Sequence, residues 1–205
     1  MTEFDREYYE QGPMTGKSLY TNYRWLPELT LPLAHHIAVD CNLDKHQTVC
    51  DFGCAKGYLV YALRLLGYDS YGVDISKYAI SKAPKEVNGH VTCIEPLAEF
   101  GFYDWIICKD ILEHIPYEDI DSQLMMLRNS CKKMMVMVPL GDGEKYFIDA
   151  YEKDVTHAIR ENLDWWISLF ESVGFKITKA SYEMGPYKEN WQIHPTGNGF
   201  FMLQI

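Results

Sequence analysis

The sequence predicts an α/β domain, doubly wound, with a mostly parallel sheet, helices on both faces and an antiparallel strand at the C-terminus. Three observations carry that expectation. Short apolar runs alternate with helical patterns from residue 47 onward, as parallel strands joined by crossover helices do. Glycines close or open the elements, at Gly53, Gly57, Gly67 and Gly174. The last two apolar runs have no helical pattern between them and are expected to pair antiparallel.

Residues 1–45 read as an N-terminal helical extension or lid. Asp5 to Gln11 is polar and aromatic, Gly12-Pro13 and Gly16 interrupt it, and Leu31 to Val39 has a helical pattern with His35 and His36 on it. Residues 46–205 form the main domain. Thr48 to Phe52 is a short buried strand, Gly53 to Gly57 a turn, and Tyr58 to Leu66 an apolar helix ended by Gly67. Tyr71 to Asp74 is the second strand, and Ser76 caps a helix that runs to Lys82. His90 to Ile94 and Tyr103 to Cys108 are the third and fourth strands, Ile120 to Asn129 a helix, and Met134 to Val138 the fifth strand. Asn162 to Val173 is an amphipathic helix closed by Gly174, in which Trp165, Trp166 and Phe170 fall at core spacing. Phe175 to Tyr182 and Gly199 to Ile205 are the last strands. The stretch from Pro139 to Glu161 is long for a loop, and loops of that length tend to be functional or disordered.

The chain has 205 residues with 47% apolar and 23% charged side chains, an ordinary globular composition for one domain of this length. Nineteen cations against 29 acids leave a formal net charge of −10. That balance opposes a sequence-independent polyanion binder, which needs clustered cations. Cys50, Cys93 and Cys108 lie in or beside strand-like runs, the N-terminus has no apolar leader core, and no apolar run is long enough to span a bilayer. A reduced, soluble, cytoplasmic protein is expected, with no membrane partner and a possible homodimer contact through the N-terminal aromatic segment.

The strongest chemical signal is Asp51-Phe-Gly53-Cys-Ala-Lys-Gly57, between a strand and a helix. Gly53 permits a tight turn and Gly57 lets the helix start close to the sheet. The turn opens where ligands bind in open α/β sheets, and Asp74 ends the next strand, where a carboxylate can accept from both hydroxyls of a ribose. A dinucleotide fingerprint would need glycine at 53, 55 and 58, but Ala55 and Tyr58 break it. Asp51 suits a cationic ligand better than a pyrophosphate.

With Gly72-Val-Asp74-Ile75 and Tyr103-Asp-Trp-Ile-Ile-Cys-Lys-Asp-Ile-Leu-Glu-His114 in order behind it, this text resembles the class I S-adenosylmethionine (SAM) dependent methyltransferases of small-molecule type. The resemblance covers residues from about 46 to the C-terminus. It implies a Rossmann-like, seven-stranded sheet, SAM as cofactor and S-adenosylhomocysteine as product. Under it Gly53, Cys54, Ala55 and Gly57 lie near the methionine part of the cofactor, Asp74 holds the ribose, Ile75 flanks the adenine, Glu95 reaches its exocyclic amine, and Lys109 offers backbone groups to the amino group; Asp51, two residues before the turn, can organise the loop or a cofactor amino group. Pro96 departs from the pattern, because it lacks an N–H for the adenine ring.

Candidate acceptor-site residues follow the fourth and fifth strands. Asp110 and His114 would share one face if their segment is helical. Asp154-Val-Thr156-His157 sits in the long loop with Arg160 behind it, text similar to that of several small-molecule methyltransferases. His157 is the expected acceptor-site base or orienting group, with His114 and Asp154 as helpers, since histidine is suited to proton transfer near neutral pH. The alternative is that Asp154, Thr156 and His157 cap the following helix. Arg160 and Asp110 are candidate acceptor contacts, and Tyr23 and Arg24 candidate lid contacts. No zinc-type spacing links His114, His157 and Asp154, or Cys41, His46, Cys50 and Cys54, so no metal is expected. The text after the fourth strand lacks an Asn/Asp-Pro-Pro-Tyr stretch and the fifth strand ends without a Pro-Cys, which argues against nucleic-acid acceptors. The expected reaction moves a methyl group to an oxygen or nitrogen of a small polar metabolite or sugar derivative. A non-catalytic SAM-binding partner subunit and an NAD-dependent oxidoreductase are the rival readings.

Overall fold

The computed structural model of the protein describes residues 4–205. The opening Met1-Thr-Glu, part of the expectation of a leaderless start, lies outside the described residues. Two compact units are present, Met1–Ala98 and Glu99–Ile205.

The first unit contains α1 (Arg6–Thr15), α2 (Pro27–Asp40), β1 (Thr48–Phe52), α3 (Tyr58–Leu65), β2 (Asp69–Asp74), α4 (Lys77–Ser81) and β3 (Val91–Cys93). β1 and β3 flank β2, both parallel to it. Two elements differ from expectation. α1 forms where the sequence reads as punctuated polar text. Asp5 caps it through a bond from the Tyr8 N–H at 3.1 Å, and the chain kinks at Gln11 before Pro13. α2 starts at Pro27, earlier than the expected Leu31, because proline's fixed φ suits the first helical position. Ser76 caps α4 as expected, accepting from the Ala79 N–H at 3.0 Å.

The second unit contains β4 (Tyr103–Lys109), α5 (Ile120–Asn129), β5 (Cys131–Pro139), α6 (Leu163–Ser172), β6 (Lys176–Ser181) and β7 (Asn198–Gln204). β4 and β5 are parallel. β7 is antiparallel to both β5 and β6. The expected antiparallel pair therefore forms, and the last strand is interior, with Phe200, Phe201 and Leu203 buried. α6 is capped by Asn162, whose side chain accepts from the Trp165 N–H at 2.9 Å, and it buries Trp166 and Phe170 completely. The strands lie in the order β3-β2-β1 in the first unit and β4-β5-β7-β6 in the second, the mostly parallel, helix-connected pattern of a doubly wound fold. All six cysteines are free thiols. Among the described residues, no helix is long and apolar enough to cross a membrane.

Candidate functional site

In the first unit the glycine turn is pinned to the end of β2. The N–H groups of Gly53 and Cys54 both donate to the Val73 carbonyl, at 2.8 and 3.0 Å. The Ala55 N–H donates to one oxygen of Asp74 at 2.7 Å, and the Ser76 N–H to the other at 2.7 Å. Gly53, Ala55 and Gly57 all have positive φ, at 79°, 49° and 71°. A Cβ on Gly57 would sit 2.9 Å from Val91 Cγ1, so glycine is required there both for conformation and for the approach to β3. Burial raises the Asp74 carboxyl from its ordinary value, and the bonds from Ser76 and Ala55 oppose that rise.

These residues fit the adenosyl cofactor that the sequence motif implies. Each Asp74 oxygen accepts a backbone N–H, and an ionised carboxylate oxygen can accept more than one donor, a ribose hydroxyl included. Ile75, next to that carboxylate, is exposed at 37% and offers an apolar face to a flat ring. Asp51 is buried on β1. Glu95 is exposed and pairs with Lys77 at 3.8 Å. The N-terminal segment belongs to the same unit and packs on the turn. Tyr8 and Tyr9 cluster with Tyr23, Ala55, Tyr78 and Ala79. The buried Lys56 ammonium, in the turn itself, donates to Glu10 and to the Tyr23 carbonyl, each at 2.5 Å. Tyr23 thus lies beside the turn, while Arg24 is exposed.

In the second unit a polar cluster forms after β4. Asp110 ends the strand at φ 55° and turns the chain sharply, so residues 110–114 are not the α-helix that would place Asp110 and His114 on one face. A 3-10 turn at Leu112–His114 replaces it. The Glu113 carbonyl accepts from the N–H groups of Ala158 and Ile159, at 2.7 and 3.0 Å. Those two bonds bring the long loop against the turn and place the His114 and His157 rings 4.6 Å apart.

The loop residues are organised by Asp154, which is buried and accepts from the Thr156 N–H at 3.0 Å and the Thr156 hydroxyl at 2.5 Å. Because the hydroxyl proton goes to Asp154, Thr156 Oγ1 accepts from His114 Nδ1 at 2.8 Å. His157 Nδ1 donates to the Tyr151 carbonyl at 2.9 Å. Both rings are thereby Nδ1–H tautomers, with the lone pair on Nε2. Asp154, Thr156 and His157 do not cap α6; Asn162 does. Burial lowers His114 to about 4, helped by the neighbouring His157, and burial also lowers His157.

Sequence reasoning missed three participants. Glu113 is 1% exposed and its Oε2 has no hydrogen-bond partner. Burial, and then the charge of Asp110, push its carboxyl well up. Lys188, from the connection between β6 and β7, pairs with Asp110. Lys109, already named from the sequence for its backbone, pairs with Asp110 through its side chain at 2.5 Å. Burial alone would raise Asp110, but the two lysines outweigh it and hold the carboxyl well below its usual range. Tyr151 completes the cluster by accepting from Asn190 and bonding Asn198. Glu113 stood in the quoted motif; Lys188 had no local signal, because the turns around it follow no periodic pattern. Arg160 is tied to Glu152 at 3.1 Å and to the carbonyls of His157 and Ala158, which makes it a brace of the loop.

Comparison with known proteins agrees with this architecture. Over 97 residues, covering 43% of this chain and 42% of the relative, the chain is 30% identical to a magnesium-protoporphyrin O-methyltransferase of Synechocystis sp.. It spans less than half the length of the curated relatives it matches. The crystal structure of magnesium protoporphyrin IX methyltransferase from Synechocystis PCC 6803 with bound SAH superposes with a TM-score of 0.63 at 18% identity, over 86% of this chain and 82% of that one. A SAM-dependent methyltransferase from Archaeoglobus fulgidus superposes at 0.64 and 14% identity, over 87% of this chain and 97% of that one. A family profile described as a methyltransferase domain matches residues 24–182, and the chain belongs to that methyltransferase family.

Proposed function

We propose that the chain transfers the methyl group of SAM to an oxygen of a small polar acceptor. Asp74, Ile75 and the backbone of residues 53–57 would hold the cofactor, with Asp51 toward its amino-acid end; the backbone role proposed for Lys109 concerns the second unit by itself. When bound, the cofactor supplies an electrophilic methyl group on a sulfonium leaving group. The protein's work is then positioning, exclusion of water and management of the acceptor's proton. The observation that carries the acceptor half is the pair of imidazoles anchored through Nδ1, His114 by Thr156 and His157 by a backbone carbonyl. An acceptor hydroxyl can donate to His157 Nε2, and Asp154 holds the relay that orients His114. Oxygen is favoured over nitrogen because an amine that arrives deprotonated needs no such base. The O-methyltransferase name of the Synechocystis relative supports the same choice.

The test is isotope transfer from labelled SAM to a panel of sugars, hydroxylated metabolites, amines and magnesium protoporphyrin, with SAH formation followed by mass spectrometry. Transfer to a hydroxylated small molecule is expected. His157→Ala should lower kcat by roughly 10²–10⁴, the range for loss of a general base, with SAH affinity by calorimetry unchanged. Activity on nucleic acid or protein alone, or no binding of SAM and SAH, would sink the reading.

A further inference from the structure

We infer that Glu113, His114 and His157 form a binding site for a divalent first-row metal ion. Each residue offers one ligand atom, and those three atoms lie within 4.8 Å of one another. The tautomers make this more than proximity. The Asp154–Thr156–His114 chain and the Tyr151 carbonyl commit both Nδ1–H groups, which leaves Nε2 of each ring as the lone-pair nitrogen. Ligating histidines are oriented in this way, through an outer acceptor on the second ring nitrogen. The third residue, Glu113, has a buried Oε2 without a hydrogen-bond partner. The nearby lysines Lys109 and Lys188 turn to Asp110 instead. A buried carboxyl oxygen that no donor satisfies is costly, and a cation shared with two imidazoles, displacing the Glu113 proton to solvent, would remove that cost.

Two nitrogens and one carboxylate oxygen suit Zn²⁺, Co²⁺, Fe²⁺ or Mn²⁺, with positions left for water or an acceptor oxygen. Two of the three ligands are adjacent in sequence and the third comes from a loop, so no motif of zinc type announces the set. The expectation of no metal rested on that missing spacing. The inference goes beyond the proposed transfer reaction. With an ion bound, the His157 Nε2 lone pair would serve as a ligand in place of the base role proposed above, and the ion would instead lower the proton affinity of an acceptor oxygen.

The experiment uses the full chain, stripped with chelator and titrated with Co²⁺, read by visible absorption, with SAH binding measured on the same samples. Wild type is expected to take up a single Co²⁺ with d–d bands of a nitrogen- and oxygen-ligated ion. Glu113→Gln keeps the side chain's shape and, like His157→Ala, should weaken uptake by about tenfold or more while SAH affinity stays unchanged. No uptake by wild type, or uptake that survives both substitutions, overturns the site. Co²⁺ uptake that depends on Glu113 in a chain that binds no SAH supports the site and removes the cofactor reading instead.

Discussion

Asp74 joins structure and ligand chemistry in one side chain. Its two oxygens hold the N–H groups of Ala55 and Ser76, so Asp74→Ala does more than remove the ribose contact proposed for it. It leaves two donors without acceptors, at a cost of about 1–3 kcal/mol each when buried. Asp74→Ala is therefore expected to lower both the melting temperature and SAM affinity, whereas Asp74→Asn should keep one acceptor and lose mainly affinity. Calorimetry beside a thermal melt separates the two effects; Asp74→Ala with an unchanged melt would contradict the bonding described. Thr156 has a comparable place in the second unit, since its hydroxyl fixes the tautomer of His114. Thr156→Val should reduce kcat and leave SAH affinity alone, and equal kcat in the two proteins would show that the relay is idle.

At the scale of elements, glycine and capping chemistry place the strands and helices. Gly57→Ala puts a Cβ against Val91 in a left-handed backbone, with an expected loss of about 1–2 kcal/mol from conformation alone. Adding Val91→Ala should relieve the contact and restore only part of the stability. Full restoration in urea denaturation would mean that the backbone conformation costs nothing. For α6, Asn162→Ala removes the cap on Trp165 and should cost about 1 kcal/mol, or about 2–4 °C in melting temperature for a domain this long. Most element positions were readable, because alternating apolar runs, caps and turn glycines act over a few residues. α1 was not, because Gly12-Pro13 reads as a break although a helix can restart at proline.

At the scale of the whole molecule, α1 and α2 belong to the first compact unit, and the Glu10–Lys56 ion pair ties α1 to the glycine turn. Burial would raise the Glu10 carboxyl, but the bonds from Lys56 and Tyr78 outweigh it and hold the group below its ordinary 4.5. Its contribution is therefore fully present above about pH 4.5 and is lost as pH falls through the lower folded value. Limited proteolysis should release residues near the N-terminus faster on acidification, and Glu10→Gln should abolish that dependence. A rate of release that ignores both pH and the substitution would show that the tyrosine cluster alone holds the segment.

The amino-acid order alone dictates the α/β class, the position of nearly every strand, and the turn from Asp51 to Gly57 with Asp74 beyond it. Those features rest on local chemistry: side-chain periodicity, glycine at positive φ and a carboxylate at a strand end. The folded path of the chain was needed to show that β7 lies between β5 and β6. It also decided that Thr156, 42 residues beyond His114, orients that ring, and that Lys188 reaches Asp110. Glu113 became visible as a participant only through its burial and its unsatisfied oxygen. Burial and long-range hydrogen bonds depend on the folded path of the chain, and two backbone bonds to one carbonyl, that of Glu113, are what bring the histidines together.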